Sequence, residues 1–440
     1  MKMPDHNLTN PPPSRETGNK SRRLATLSNT WILGRTALFA RVQQASSEDP
    51  SPNYPRLMAF LKFWKWVRPY LHDLGRKVAP YRTYPKGQTG IFRIASPQQD
   101  GELRIAVAAD WGTGTLESET VAENMKGCSP HYTVHLGDVY YMGEVPEVKE
   151  NCLGHCTKKY KGVQWPVQEC LGSFALMGNH EMYSGGEGYF KDFISTLGLL
   201  NADGTVKDPQ SASYFCLETD HWIVLGLDTG YHSAGFPLLA PVPLINRIPS
   251  LNVDARLDEK MLTWLQQTIE ALTAAGSANK SILLLTHHQP ISSFEPAFTK
   301  SARQLAQLSF FNEREFVWLY GHEHRLTVYE KQTIANSLTA HPRCIGHGGM
   351  PVSKTHLDWP DPKILYYDPR EHPIDSKNPQ ITVGFNGHVV LIFKDSAMTI
   401  EYRDILDNDL LLSETFRPIG SGGLQRECED PPAGKLARGH

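Results

Sequence analysis

Short apolar runs recur through the middle of the chain, each bounded by polar residues: LRIAVAA from 103, YTVHL from 132, SFALM from 173, WIVLGL from 222, SILLLT from 281 and FVWLY from 316. Runs of this length, rich in branched and aromatic side chains, predict buried strands. The polar or helix-compatible stretches between them predict α/β layering. Beyond residue 380, ITVGF, HVVLIF and MTIEYRD stand close together, separated by Asn386-Gly387 and Lys394-Asp395. That spacing predicts antiparallel strands finishing a sheet.

Upstream the texture differs. Residues 1–55 are rich in Pro, Ser, Asn and Thr and read as a disordered or linker-like tail, with 31–44 able to form a short helix. Leu57, Phe60, Leu61, Trp64 and Val67 then recur at helical spacing, with Lys62, Lys65 and Arg68 on another side and Pro69 closing the run. Residues 56–100 are thus expected to form a basic amphipathic helical extension. Residues 101–415 form the expected catalytic domain, with Pro-rich surface insertions at about 229–254 and 338–380, and 416–440 form a C-terminal tail.

Charge refines that picture. The first hundred residues carry 16 Lys and Arg against 6 Asp and Glu, and the remainder 28 against 41, giving +10 and −13. Segment 57–68 therefore has two readings: a peripheral membrane contact through an interfacial helix, or a helix packed on the acidic catalytic part. The opposite charge of the two parts favours packing. With 40% hydrophobic and 21% charged residues and no uncharged apolar stretch of about 18 residues, the composition is that of an ordinary globular chain without a spanning helix. The first residues lack the apolar centre of a secretory signal, so a cytoplasmic location is expected. Seven cysteines, scattered and odd in number, predict reduced thiols. Cys152, His155, Cys156 and Cys170 fit no standard zinc-finger spacing and read as loop residues.

The candidate chemistry follows the apolar runs. LRIAVAA leads into Asp110-Trp111-Gly112, and YTVHL into Gly137-Asp138-Val139-Tyr140-Tyr141. SFALM leads into Gly178-Asn179-His180-Glu181, SILLLT into His287-His288-Gln289-Pro290, and FVWLY into Gly321-His322-Glu323-His324. The C-terminal ends of strands in an open α/β sheet line one crevice, so these distant segments can converge. Asp110, Asp138, Tyr141, Asn179, His288, His322 and His324 form an oxygen and nitrogen donor set without thiolate, suited to iron, zinc or manganese. Seven ligands exceed the needs of one ion and serve two if a carboxylate bridges. Such a pair can hold a hydroxide nucleophile and stabilise in-line displacement at phosphorus. His135, inside YTVHL, reads as a buried core histidine. His347, in Gly346-His347-Gly348-Gly349, is a candidate substrate contact, because a glycine-rich loop can approach phosphate closely.

The ordered blocks Asp110-x-Gly112, Gly137-Asp138-x-x-Tyr141, Gly178-Asn179-His180-Glu181, His288 and Gly321-His322-x-His324 resemble those of the calcineurin-like metallophosphoesterases over about residues 103–325. Many members of that superfamily carry a histidine where Gly112 stands, whereas Tyr141 sits where purple acid phosphatases carry an iron-binding tyrosinate. The resemblance therefore points to the purple acid phosphatase-like subtype. It implies a four-layer α/β/β/α sandwich of mixed sheets with helices outside, and two metal ions, iron paired with zinc, manganese or a second iron. By resemblance, Asp110, Tyr141 and His324 hold one ion, Asn179, His288 and His322 the other, and Asp138 bridges them. His287 is the alternative to His288, which stands two residues before Pro290 as the family ligand does. His180 is the expected general acid, with Glu181 orienting it. The implied substrate is a phosphate ester. No basic, aromatic-interleaved track suggests a nuclease. Two other functions stay open: a membrane-associated phosphodiesterase or lipid phosphatase, and a non-catalytic scaffold.

Overall fold

A computed structural model describes residues 77–97, 101–157, 161–166, 170–233, 254–353, 362–373, 382–420 and 422–429. The helices expected at 31–44 and 57–68 lie outside these residues, as do 234–253 and 354–361.

Two nine-stranded sheets carry the fold. In the first, β2 (Leu103–Ala108), β3 (Tyr132–His135) and β4 (Gly172–Ala175) run parallel. β5 (Gly198–Leu200) and β6 (Val206–Pro209) continue it on one side. On the other, β17 (Gly387–Lys394), β18 (Ala397–Asp404), β19 (Leu410–Ile419) and β20 (Gly423–Glu429) follow as successive antiparallel strands. The meander expected after residue 380 is present, and it runs on through 416–429 where the sequence suggested a tail.

In the second sheet, β8 (Trp222–Gly226), β9 (Ser281–Thr286), β10 (Glu315–Tyr320) and β13 (Leu338–Ile345) are parallel neighbours. β7 (Phe215–Glu218) and β1 (Ile91–Arg93) extend one edge, and β11 (Leu326–Tyr329), β12 (Gln332–Ile334) and β14 (Ile364–Tyr367) complete the other. A separate pair joins β15 (His372–Pro373) to β16 (Thr382–Val383). Two expectations shift here. Residues 91–93, assigned to a helical extension, form an edge strand. Residues 338–345, assigned to a surface insertion, form an interior strand whose Pro342 concealed it, since proline cannot donate to a ladder. Pro342 falls between the stretches paired antiparallel with β11 and with β12.

Strand alternation builds the layers. Ile105, Val107, Val134, Leu283, Leu285, Val317 and Leu319 project into one core between the sheets. Their neighbours Ala106 and Ala108 face outward to the helices Leu116–Gly127 and Val145–Asn151, while Ile282, Leu284, Phe316 and Trp318 face the helices Glu259–Ala274 and Thr299–Leu305. Continuous apolar runs were the correct signal, because strands covered on both faces have no polar side. The result is the four-layer α/β/β/α order. All seven cysteines are free thiols.

Candidate metal centre

The parallel strands of both sheets end at one rim, and the loops leaving them carry the candidate ligands. Asp110, Asp138 and His322 all adopt positive φ, at 56°, 74° and 69°. Non-glycine residues rarely occupy that region, and such strain concentrates at functional sites. Tight contact between loops enforces it: a Cβ on Gly321 would stand 2.5 Å from Asp110 Oδ2.

Asp110 is fully buried. Its Oδ2 accepts the His322 N–H at 2.8 Å, and its Oδ1 lies 3.0 Å from the Tyr140 hydroxyl and 3.6 Å from His324 Nε2. Asp138 faces both ways. Its Oδ1 accepts the His180 N–H at 3.0 Å and lies 3.3 Å from His287 Nε2, while its Oδ2 lies 3.0 Å from the Tyr140 hydroxyl. Burial raises the Asp110 carboxyl well above the usual range, and proximity to Asp138 adds to this. Burial also presses Asp138 upward, but the His287 and His180 rings outweigh it and hold that carboxyl low.

Opposite stand the imidazoles. Asn179 Oδ1 lies 2.9 Å from His322 Nδ1 and 3.2 Å from His287 Nε2, and Asn179 Nδ2 donates to the Tyr183 hydroxyl at 2.7 Å, which fixes the amide orientation. His287 Nδ1 donates to the Leu136 carbonyl at 2.9 Å. His288 Nδ1 pairs with Thr229 Oγ1 at 3.0 Å, leaving its buried Nε2 without a partner. Burial lowers His288 and His322 well below the ordinary imidazole value, and His324 to about 3. Burial opposes charge on His287 too, but the Asp138 carboxylate raises that ring to about 9. Ligand atoms of His287, His288 and His322 lie within 4.8 Å of one another, as do those of Asp110, Asp138 and His287. Oxygen and imidazole acceptors crowded around one space, with His288 Nε2 unpartnered, fit cation binding.

Residues 103–326, just over half the chain, match the calcineurin-like phosphoesterase family. The chain belongs to that family. Solved structures similar to it include GAP50, the anchor in the inner membrane complex of Plasmodium, at 14% identity over 71% of this chain and 87% of that one, with a TM-score of 0.44. Purple acid phosphatase PPD1 from yellow lupin (Lupinus luteus) seeds is similar at 12% identity over 73% of this chain, which spans 54% of the lupin protein, with a TM-score of 0.45. A dimetal phosphatase from Danio rerio is similar at 14% identity over 69% of this chain and 96% of that one, with a TM-score of 0.39. No curated protein sequence matches the chain. Among the described residues, no helix is long and apolar enough to cross a membrane.

Within this calcineurin-like phosphoesterase, Asp110, Asp138, Asn179, His322 and His324 meet as the strand-end rule anticipates, with both His287 and His288 beside them. His180 lies at the same place, its Nδ1 donating to the Tyr141 carbonyl at 2.7 Å and its Nε2 3.8 Å from Asp138 Oδ2. Burial lowers its basicity against the pull of Asp138. Glu181 has other partners than the His180 ring: Oε2 accepts the N–H groups of Gly178 at 3.0 Å and Asp138 at 3.2 Å. It ties two ligand loops together, and burial with the nearby Asp138 charge raises it to about 8. The His347 ring is buried, and its Nε2 would stand 2.9 Å from a Cβ on Gly387. Its loop supports the centre through main chain, as Gly348 and Met350 donate to the Ala109 and Asp110 carbonyls. His135 is a core histidine, accepting the Gly137 N–H and held neutral by burial, with a pKa of about 3.

Three contributors escaped the sequence reading. Tyr183 stands one helical turn beyond Asn179, a spacing that could have signalled it. Thr229 follows the strand WIVLG as the other site residues follow theirs, so a sixth strand end obeys the same rule. Tyr140 is hidden by its identical neighbour.

Proposed function

We propose that this phosphoesterase hydrolyses its phosphate ester at a two-cation centre formed where the two sheets meet. The observation that carries this reading is the double-faced placement of Asp138, one oxygen toward His287 and the other toward the Tyr140 hydroxyl, which itself meets Asp110 and His324. Asp110, His324 and a tyrosine of the Tyr140-Tyr141 pair would hold one ion. Asn179, His322 and the His287-His288 pair would hold the second, with Asp138 shared. Iron with zinc, manganese or a second iron suits these donors. Bound there, two cations supply the positive charge that activates water and neutralises phosphate oxygens.

The chain's own groups account for the rest. The Tyr141 carbonyl keeps the proton on His180 Nδ1, which leaves Nε2 directed at the space beside Asp138, where it can hold a proton and deliver it to the departing ester oxygen. Tyr183 and Thr229 hold Asn179 and His288 in the orientations that expose their ligand atoms. Phe298 lies against the His288 and His322 rings at centroid distances of 4.9 and 5.3 Å, shielding that side from water.

The test is hydrolysis of an aryl phosphate monoester and the matching diester across pH, after loading with iron, zinc or manganese. Turnover lost in Asn179→Ala supports the reading, and the monoester-to-diester ratio assigns phosphatase or phosphodiesterase. Silence of the metal-loaded protein on both substrates, or turnover unchanged in Asn179→Ala, overturns it.

A further inference from the structure

The loop leaving β8 carries no candidate ligand, yet it touches ligand segments from both sheets. β8 and β9 run parallel with Gly226 opposite Leu285, and Leu227 extends the ladder by donating to the Leu285 carbonyl at 2.9 Å. Carried on past the strand ends, that register sets Thr229 opposite His288. The Thr229 hydroxyl oxygen accepts the His288 main-chain N–H at 3.0 Å and pairs with the ring Nδ1 at 3.0 Å, so one side chain holds both the backbone and the ring of His288. On its other side, a Cβ on Gly230 would collide with the carbonyl oxygens of Met177 and Gly178, so the loop rests on the turn that delivers Asn179. His288 and Asn179 thus share one support.

That support is fixed by Asp228, which is only 2% exposed. Its Oδ1 accepts the N–H groups of Gly230 at 2.7 Å and Tyr231 at 3.0 Å, and its Oδ2 accepts the Ser213 hydroxyl from the segment before β7. None of these partners is a candidate ligand. An aspartate that takes main-chain N–H groups just ahead of it pins a turn, and a buried polar group whose partners are all in place is rigid. Burying a carboxylate costs free energy unless it is hydrogen-bonded, and two of the three donors here belong to the turn that carries Thr229.

Deepening the two-cation reading and resting on it, we infer that Asp228 is a positioning residue for the ion held by Asn179, His322 and the His287-His288 pair. Through the turn it orders, Thr229 sets the His288 ring and Gly230 sets the approach of the Asn179 loop. Asp228 itself stays one step removed from the ion.

The experiment is titration calorimetry of metal binding to the full, metal-stripped chain, with thermal melts of the metal-free protein alongside. The binding event that Asn179→Ala abolishes identifies the ion at issue. Asp228→Ala and Thr229→Val should each weaken that ion by about 10- to 100-fold and leave the other unchanged. The double variant should lose no more than Asp228→Ala alone, because residues acting along one route are not additive. Asp228→Asn, which keeps the oxygen that accepts Gly230 and Tyr231, should recover most of the affinity. Equal weakening of both ions, undiminished affinity in Asp228→Ala, or losses that add in the double variant overturn the assignment, and the two-cation reading stands as long as wild type binds two ions. A wild-type chain that binds fewer than two overturns both. Should Asp228→Ala fail to fold, Ser213→Ala, which leaves the carboxylate held through one oxygen, takes its place: weakening confined to the same ion supports the assignment, and unchanged binding of both ions overturns it.

Discussion

The two sheets bring opposite halves of the chemistry to their common rim. Loops leaving β2, β3 and β4 supply Asp110, Asp138 and Asn179, all oxygen donors, whereas loops leaving β9 and β10 supply His287, His288, His322 and His324, all imidazoles. Neither half is stable in isolation as a buried group. Buried carboxylates repel each other and buried imidazoles lose their charge, as the raised Asp110 and the lowered His288, His322 and His324 record. Only across the joint do they compensate. The centre therefore depends on the register between the sheets as much as on its ligands.

Four outcomes can break or sharpen that contrast. The largest effect is expected at Asp138, the ligand shared by both proposed ions: Asp138→Ala should remove turnover and bound metal from both positions, whereas Asp110→Ala should spare the ion held by Asn179, His322 and the His287-His288 pair, with elemental analysis and activity as readouts. Equal metal loss in the two variants would erase the distinction. His180→Ala should lower kcat by about 10² to 10⁴ while both metals stay bound, the range for a lost general acid. Metal loss in that variant would make His180 a ligand.

A third test addresses the joint itself. Arg343 on β13 donates to Glu414 on β19 at 2.8 and 2.7 Å, so a buried ion pair links the sheets, with Tyr402 and Arg426 also reaching Glu414. Arg343→Met should destabilise the fold by about 3 kcal/mol, the low end of the cost of unpairing a buried ion, since Glu414 keeps two partners. The sign with pH follows from Glu414. Burial pushes its pKa up, but Arg343 and Arg426 outweigh this and hold it below the ordinary value. Its contribution is therefore complete above the unfolded glutamate pKa of about 4.3 and is lost as pH falls through the lower folded value. Thermal melts should show the gap between wild type and variant narrowing below roughly pH 4. A gap that is constant across pH would dissociate the pair from stability. The smallest effect is expected from Tyr183→Phe, which frees the Asn179 amide and should weaken binding of the ion assigned to Asn179 and His322 by about 10- to 100-fold. Titration calorimetry on the metal-stripped protein would read it, and unchanged affinity would make the hydrogen bond incidental.

The strands were legible because burial on both faces writes itself as unbroken apolar runs, and the site was legible because each run is followed by its polar cargo. Pro342 misled for the same reason in reverse: a residue that breaks ladders sits inside one, where two antiparallel partners leave a gap. The end of β19 from Phe416 and all of β20 read as a tail because FRPI and GLQRECE mix charges and a proline into the strand. Glu414 within β19 is buried against Arg343, a pairing no local pattern reveals.

By itself the sequence determined the layered α/β plan, the family and the segments that converge, since hydrophobic runs and strand-end polar residues are local properties of the chain. The tertiary structure alone decided which of two neighbouring tyrosines turns its hydroxyl to the carboxylates, which nitrogen of each histidine faces the centre, and that Glu181 secures the loops while the Tyr141 carbonyl orients His180. Adjacent side chains in one loop point in different directions according to backbone angles set by contacts with distant loops, and those contacts exist only once both sheets have closed on their common core.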